Sequence, residues 1–284
     1  MTLRIHHLNC GTMCPMCERL INRREGSWRK PGHFVCHCLA IETSHGLVLV
    51  DTGLGHKDID DPSRRLGSTY TGIFRPALRR EETAVAQLRQ LGFTASDVRH
   101  IAVTHLDLDH AGGLADFPQA QVHVFKPELE QILNPGLREK QRFRFSQFDH
   151  DPKWTVHEEA GESWFGFSSI RAIPGLPVDI LLIPLVGHTM GHTGVAVKQG
   201  DKWLLHCGDA YYHHSQVSDD PQVPGGSMFF QSAIASLPKE RVRNLRRLQE
   251  LALKHGDEVE LFSAHDPVEL DRYTAAPQAH LRVA

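Results

Sequence analysis

The chain has 284 residues, 40% hydrophobic and 23% charged, with a formal net charge of −3. That length can bury a sizeable core, and that charge gives no global attraction to nucleic acid or an anionic membrane. No apolar run reaches the roughly 18 residues that span a bilayer, and the start, MTLRIHHLNCG, lacks the basic-then-apolar layout of a signal peptide. No membrane partner is therefore expected, and a cytoplasmic location is the default.

No linker, low-complexity segment or tandem repeat interrupts the sequence, so residues 1–284 are read as one domain. In chain order, CHCLAIETSHGLVLVDTGLG (36–55) gives two strands about a Ser44–Gly46 turn, the second running into a Gly-punctuated loop at Asp51-Thr52-Gly53. EETAVAQLRQLGF places Ala84, Val85, Leu88 and Leu91 on one helical face, with Gly92 as the stop. RHIAVTH (99–105) is a buried strand ending on His105, and QVHVF (121–125) is another strand. Residues 127–178 are the least regular. DILLIPLVGH (179–188) is a strand ending on His188, and GVAVKQGDKWLLHCGD is a hairpin turning at Gln199–Lys202 and ending near Asp209. SDDPQVPGGSMFFQ (218–231) reads as a loop whose Met228, Phe229 and Phe230 line a substrate pocket, make a subunit contact in a homodimer, or simply pack. LPKERVRNLRRLQELALKHG is a helix with Pro238 in its first turn, a stripe of Val242, Leu245, Leu248 and Ala252, and Gly256 at its end. VELFSAH (259–265) is a last strand, ending on His265.

Several strands thus end at or just before a residue that can ligate a metal. Loops at one sheet edge gather such residues from distant segments, and the alternation of strands with helices suggests a layered α/β domain with helices outside. The densest cluster is THLDLDHAGG (104–113), with His105, Asp107, Asp109 and His110 in six residues. An aspartate before a helix can be a plain cap, but two His and two Asp between a buried strand and Gly112-Gly113 exceed what capping requires. The histidine count, 20, points the same way.

DTGLG (51–55), THLDLDHAGG (104–113), GHTMGHTG (187–194), GDAYY (208–212) and SAH (263–265), in this order and spacing, resemble the metallo-β-lactamase-fold hydrolases. The resemblance covers nearly the whole chain. It implies an αββα sandwich of two mixed sheets flanked by helices, with a dinuclear metal site at one sheet edge. Carried over by position, it implies one metal on His105, Asp107 and His188, a second on Asp109, His110 and His265, and Asp209 bridging both. His192 would support the site without ligating, and Asp51 would anchor a loop beside it. Within the family the chain looks most like the N-acyl homoserine lactonases, in which a tyrosine follows the bridging aspartate by three residues; here that is Tyr212, whose other reading is a half-buried core tyrosine. The implied activity is opening of a small-molecule lactone or related ester by a hydroxide held between the metals. Tyr212 would polarise the carbonyl and Asp109 would relay a proton to the leaving oxygen.

The usual family pattern has histidine at 107. A carboxylate ligates zinc at roughly 2.0–2.2 Å, but its charge weakens the Lewis acidity of that metal. It also shifts preference from zinc, the first expectation, toward iron or manganese. Flavodiiron proteins share the fold and carry a carboxylate in that slot; they need a flavin domain, for which the about 20 residues after His265 leave no room. A di-iron redox role is therefore the runner-up, beside a thioester hydrolase of the glyoxalase II type and a catalytically silent binding protein.

Two groups compete for other roles. Cys10, Cys14 and Cys17 in CGTMCPMC resemble half a zinc knuckle that Cys36 and Cys38 could complete. A C-x-C pair on one strand points both thiols the same way, so buried free thiols, Cys207 included, are the simpler account. Arg138, Lys140, Arg142 and Arg144, mixed with Phe143, Phe145, Phe148 and Trp154, could suit single-stranded nucleic acid. The near-neutral net charge argues against that, and a loop covering the site mouth, its aromatics on an acyl chain, is preferred.

Overall fold

Strands that are apolar on both faces must be covered on both sides, and this organises the molecule. The computed structural model describes residues 3–158, 161, 163–171, 173, 176 and 179–274. β1 (Ile5–Met13), β2 (Phe34–Thr43), β3 (Gly46–Val50), β4 (Val98–Ala102), β5 (Gln121–Phe125) and β6 (Lys153–His157) form a six-stranded sheet in that spatial order. β1, β2 and β3 are antiparallel neighbours, and β3 through β6 run parallel. After a two-stranded hairpin of β7 (Ser163–Trp164) and β8 (Phe167–Ser168), a second sheet follows. It is built from β9 (Ile170–Arg171), β10 (Ile180–Pro184), β11 (Thr193–Gln199), β12 (Lys202–His206) and β13 (Val259–Phe262), in the order β13-β12-β11-β10-β9. Here β12 and β13 are parallel and the other pairs antiparallel.

The period-two alternation of side chains sorts the core into layers. Leu39, Ile41, Val48 and Val50 of the first sheet meet Leu182, Val195, Val197 and Phe262 of the second in one buried cluster. The alternate residues Cys36, Cys38, Ala40, Leu47 and Leu49 face outward and pack on Ala84 and Leu88 of helix Ala84–Gln90. Beyond the second sheet, Leu181, Ile183, Ala196 and Leu205 pack on Leu248 and Leu251 of helix Pro238–His255. Fully burying one such leucine contributes about 1.5–3 kcal/mol, so the two helices are fixed to the sheets by packing rather than by propensity. The result is the expected αββα arrangement.

The structure differs from the sequence reading in several places. The buried line on helix Pro238–His255 is Asn244, Leu248 and Leu251, and Val242 is 38% exposed. Asn244 can be buried because its amide donates to the Val186 carbonyl at 2.8 Å. Leu91 is the C-cap of its helix, past the last turn, and stays at the surface. Residues 127–178 are more regular than expected, with helices Lys126–Leu133 and Leu137–Arg142. Part of the expected loop 218–231 belongs to a helix, Gly225–Ile234, which buries Ser227 and Gln231 one turn apart. Among the described residues no helix is long and apolar enough to cross a membrane.

Candidate metal centre

β3, β4, β10, β12 and β13 end on Val50, Ala102, Pro184, His206 and Phe262, and each runs within four residues into one of the chemistry-bearing positions: Asp51, His105, His188, Asp209 and His265. The two sheets are joined at this edge. The Thr193 amide donates to the Thr104 carbonyl, the His37 amide to the Ala264 carbonyl, and His265 Nδ1 to the Val35 carbonyl at 2.7 Å.

Asp209 lies at the centre. Its Oδ2 is 3.9 Å from His105 Nε2 and 3.3 Å from His188 Nε2. Its Oδ1 is 3.2 Å from His110 Nε2 and 3.1 Å from His265 Nε2. Asp107 Oδ2 joins the first group, 3.3 Å from His105 Nε2 and 2.9 Å from His188 Nε2. Asp109 Oδ2 joins the second, 3.5 Å from His265 Nε2. The structure therefore brings His105, Asp107, Asp109, His110, His188, Asp209 and His265 together in two groups that share Asp209, one oxygen facing each.

Hydrogen bonding fixes which imidazole nitrogens face inward. His110 Nδ1 donates to Asp51 Oδ2 at 2.8 Å, and His265 Nδ1 donates to a carbonyl, so the Nε2 lone pair of each turns to the centre. His192 is oriented differently. Its Nδ1 donates to the Leu185 carbonyl and its Nε2 accepts the Asp209 amide at 2.9 Å, leaving no lone pair for a metal. Its role is to hold the Asp209 backbone. Gly208 sits between them at φ +52°, where a Cβ would collide with His192 Nε2 and Thr104. Asp51, itself at φ 56°, also accepts the Thr104 amide and hydroxyl, each at 2.7 Å, and so ties β3 to β4.

Beside Asp51 two loops interlock. The Thr52 amide donates to the His110 carbonyl, the Gly113 amide to the Gly53 carbonyl, and Gly53 bridges Ala111. A Cβ on Gly112 would strike Asp58. From the other side, buried Glu128 on helix Lys126–Leu133 accepts the Leu106 amide on Oε1 at 2.8 Å and the Gly191 amide on Oε2 at 3.1 Å. It clamps the loop of His105 to the loop of His188 and His192.

The charges follow this geometry. Burial pushes Asp209 up, but His265, His110 and His188 together hold its carboxyl well below the usual range. Burial works against a charged His110, yet Asp209 and Asp51 raise it well above an ordinary histidine. Burial, reinforced by His110, drops His105 to about 3. Burial raises Asp109. Burial and then Asp209 raise Tyr212, whose hydroxyl donates to Asp209 Oδ2 at 2.7 Å.

Whether this set suits a metal is decided by its unpaired atoms. His105 Nε2 and Asp209 Oδ1 are buried and make no hydrogen bond, a state that costs stability unless something else is bound there. The atoms of His105, His188 and Asp209, and of His110, Asp209 and His265, lie within 4.8 Å of one another. Imidazole and carboxylate donors at that density suit divalent cations of the zinc, iron or manganese type.

Two neighbours were not anticipated as parts of the site. Cys36 lies beside Asp109 and His265; burial raises its thiol well above the usual value, and the antiparallel strand that carries it gave no hint of the approach. Arg142 forks onto Asp107, Nε to Oδ1 at 2.6 Å and Nη2 to Oδ2 at 2.5 Å. Its signal was the unexpected carboxylate at 107, which needs a counter-charge. Arg142 closes helix Leu137–Arg142 and, with Gln141 and Arg144, lines a cavity of about 310 Å³ over the centre. The apolar lining of this cavity includes Met13, Phe34, Tyr70, Ile73, Phe74 and Phe230. The aromatics expected there are elsewhere: Phe143 is buried in the core, Phe145 is exposed, and Phe148 packs on Trp154. The Arg138 side chain lies outside the described residues. Met228 and Phe229 are exposed, and Phe230 alone of the three reaches the cavity. All six cysteines are free. Cys10, Cys36, Cys38 and Cys207 are buried, whereas Cys14 and Cys17 border a separate cleft with Trp28 and Arg29.

Two sheets between helices, with His and Asp side chains converging at the strand ends, define a metallohydrolase-type fold and site. Residues 31–253 match the metallo-beta-lactamase superfamily, and the chain belongs to it. It is 41% identical over 267 residues to a probable metallo-hydrolase of Mycobacterium tuberculosis, covering 93% of this chain and 81% of that one. It is 25% identical over 280 residues to the N-acyl homoserine lactonase AttM of Agrobacterium fabrum, covering 97% and 98%. Among solved structures, an N-acyl homoserine lactone hydrolase with N-hexanoyl-L-homoserine at its catalytic metal center superposes with a TM-score of 0.68 at 20% identity, over 98% of each chain.

Proposed function

We propose that the protein is a dinuclear metal-dependent hydrolase that opens lactones of the N-acyl homoserine lactone type or closely related esters. The observation that carries this is the pair of buried ligand groups divided between the two oxygens of Asp209, with Tyr212 on the same carboxylate and a largely apolar cavity above. The relatives named as lactonases support it.

In this reading His105, Asp107 and His188 would hold one cation and Asp109, His110 and His265 the other, with Asp209 available to both. Bound there, the cations supply Lewis acidity and a water made acidic enough to lose its proton near neutral pH. The chain's residues do the rest. The apolar wall of Tyr70, Ile73, Phe74 and Phe230 takes the acyl chain and keeps bulk water from the reacting ester. The Tyr212 hydroxyl, buried and kept protonated beside Asp209, turns its O–H to the ester carbonyl oxygen as negative charge develops there. Asp109 lies beside the centre and relays the proton released by the attacking water to the ring oxygen as the C–O bond breaks. His192, Asp51 and Glu128 touch no substrate and keep the other side chains in place.

The test is metal analysis of the purified protein beside pH-stat assays on acyl homoserine lactones, acyl thioesters and phosphodiesters. The expected result is two metal equivalents and preferred lactone turnover that is lost on chelation and regained with zinc, manganese or iron. Preferred phosphodiester turnover, or full lactonase activity without metal, overturns the proposal.

A further inference from the structure

We infer that Arg142 is the counter-charge that lets an aspartate occupy position 107: the Asp107–Arg142 pair acts as one electrically neutral unit in place of the neutral histidine usual there. This rests on the two-cation reading above.

The guanidinium has five N–H donors, and four of them reach oxygen acceptors. Nε goes to Asp107 Oδ1 and Nη2 to Asp107 Oδ2; the second Nη2 hydrogen lies beside His188 Nε2, whose lone pair the cation would take. Nη1 goes to the His188 carbonyl at 3.1 Å and the Ile234 carbonyl at 2.9 Å. Those two carbonyls fix the fork independently of Asp107, so the positive charge stays at this place whatever residue 107 is. Both side chains are about 15% exposed, which leaves the pair little screened by solvent. With Arg142 present, the first group sums as two neutral imidazoles, one carboxylate and one guanidinium, plus a share of Asp209. Three histidines would give the same total. A bidentate fork uses one lone pair on each carboxylate oxygen, and Asp107 Oδ2 keeps another for the cation side, where His105 Nε2 and His188 Nε2 already approach it.

The arrangement makes an unexpected prediction: restoring the usual histidine damages the site. Asp107→His leaves the guanidinium in place, unpaired, facing a divalent cation. Removing its charge as well, in Asp107→His/Arg142→Gln, removes the conflict. Asp107→His/Arg142→Lys keeps a charge there and does not. The three variants and the wild type are compared by zinc titration against a chromophoric chelator, with stoichiometry from elemental analysis and folding from far-UV circular dichroism. Asp107→His is expected to weaken the looser of the two zinc sites by on the order of tenfold or more. The Gln double variant recovers the wild-type constant and the Lys double variant does not. Comparing the two doubles needs no folded single variant, because both lose the same carbonyl contacts. Equal zinc binding by the two doubles, or an Asp107→His protein that holds two zinc ions as tightly as wild type, overturns the inference. A wild-type protein that takes up no zinc, manganese or iron overturns the two-cation reading instead.

Discussion

Glu128→Gln is the most informative single change, because Glu128 holds two ligand-bearing loops while carrying a buried charge. Its Oε1 and Oε2 each accept one backbone N–H, from Leu106 and Gly191. A glutamine can keep only one of these acceptors and turns an NH₂ toward the other donor, at a cost of about 1–3 kcal/mol that does not vary with pH. Against this, burial raises the Glu128 carboxyl from 4.5 to about 7. Such a carboxyl keeps its proton longer in the folded chain than in the unfolded one, so folding stability falls as pH climbs from 4.5 to 7. At 1.36 kcal/mol per pH unit that loss amounts to about 3 kcal/mol, and the glutamine variant does not suffer it. The variant should therefore be less stable than wild type by about 1–3 kcal/mol at pH 4. The gap should shrink by about 3 kcal/mol on going to pH 8, closing or reversing. Urea unfolding followed by tryptophan fluorescence, with excess chelator so that metal linkage does not enter, measures both ends. Glu269, also raised to about 7 by burial, titrates alike in both proteins and cancels in the difference. A stability gap that stays constant between pH 4 and pH 8 would refute the reasoning.

Three further outcomes follow from the centre. Asp51→Asn keeps the shape but offers an NH₂ to the His110 Nδ1–H or to Thr104, and it should weaken metal binding by about 10–100-fold in a competition titration. Tyr212→Phe should cut kcat for a lactone by about 10²-fold while the metal content measured by elemental analysis is unchanged; equal loss of metal would reassign Tyr212 to a structural role. Phe230→Ala, which opens the apolar wall of the cavity, should raise KM for long-chain substrates by about tenfold and leave short-chain ones nearly unaffected.

Most of the architecture was legible because it follows from strong local rules. The strands at 46–50, 121–125 and 202–206 are short, apolar runs bounded by turn residues, and the helix ending at Gly256 has a proline start and a periodic face. The seven clustered His and Asp side chains were legible as motifs, since they fall in short runs that follow strand ends. What escaped was set by tertiary contact. Asn244 is a buried residue only because the Val186 carbonyl lies opposite it. Glu128 fell in the stretch read as least regular, and its two amide partners come from loops 22 and 63 residues away in sequence. Arg142 read as one basic residue in a mixed run; only the approach of its helix end to Asp107 distinguishes it from Arg144. Helix Gly225–Ile234 was masked by Pro224 and its two leading glycines, which imitate a turn.

The interlock between the loop after β3 and the turn at Ala111–Gly113 also governs local opening. Its amides, Thr52 to the His110 carbonyl and Gly113 to the Gly53 carbonyl, cannot be released one at a time without separating both segments. In native-state hydrogen–deuterium exchange the two stretches should behave as a single cooperative unit with a shared opening free energy. The half of the centre built on His110 should then be either fully assembled or fully undone, with no frayed state between.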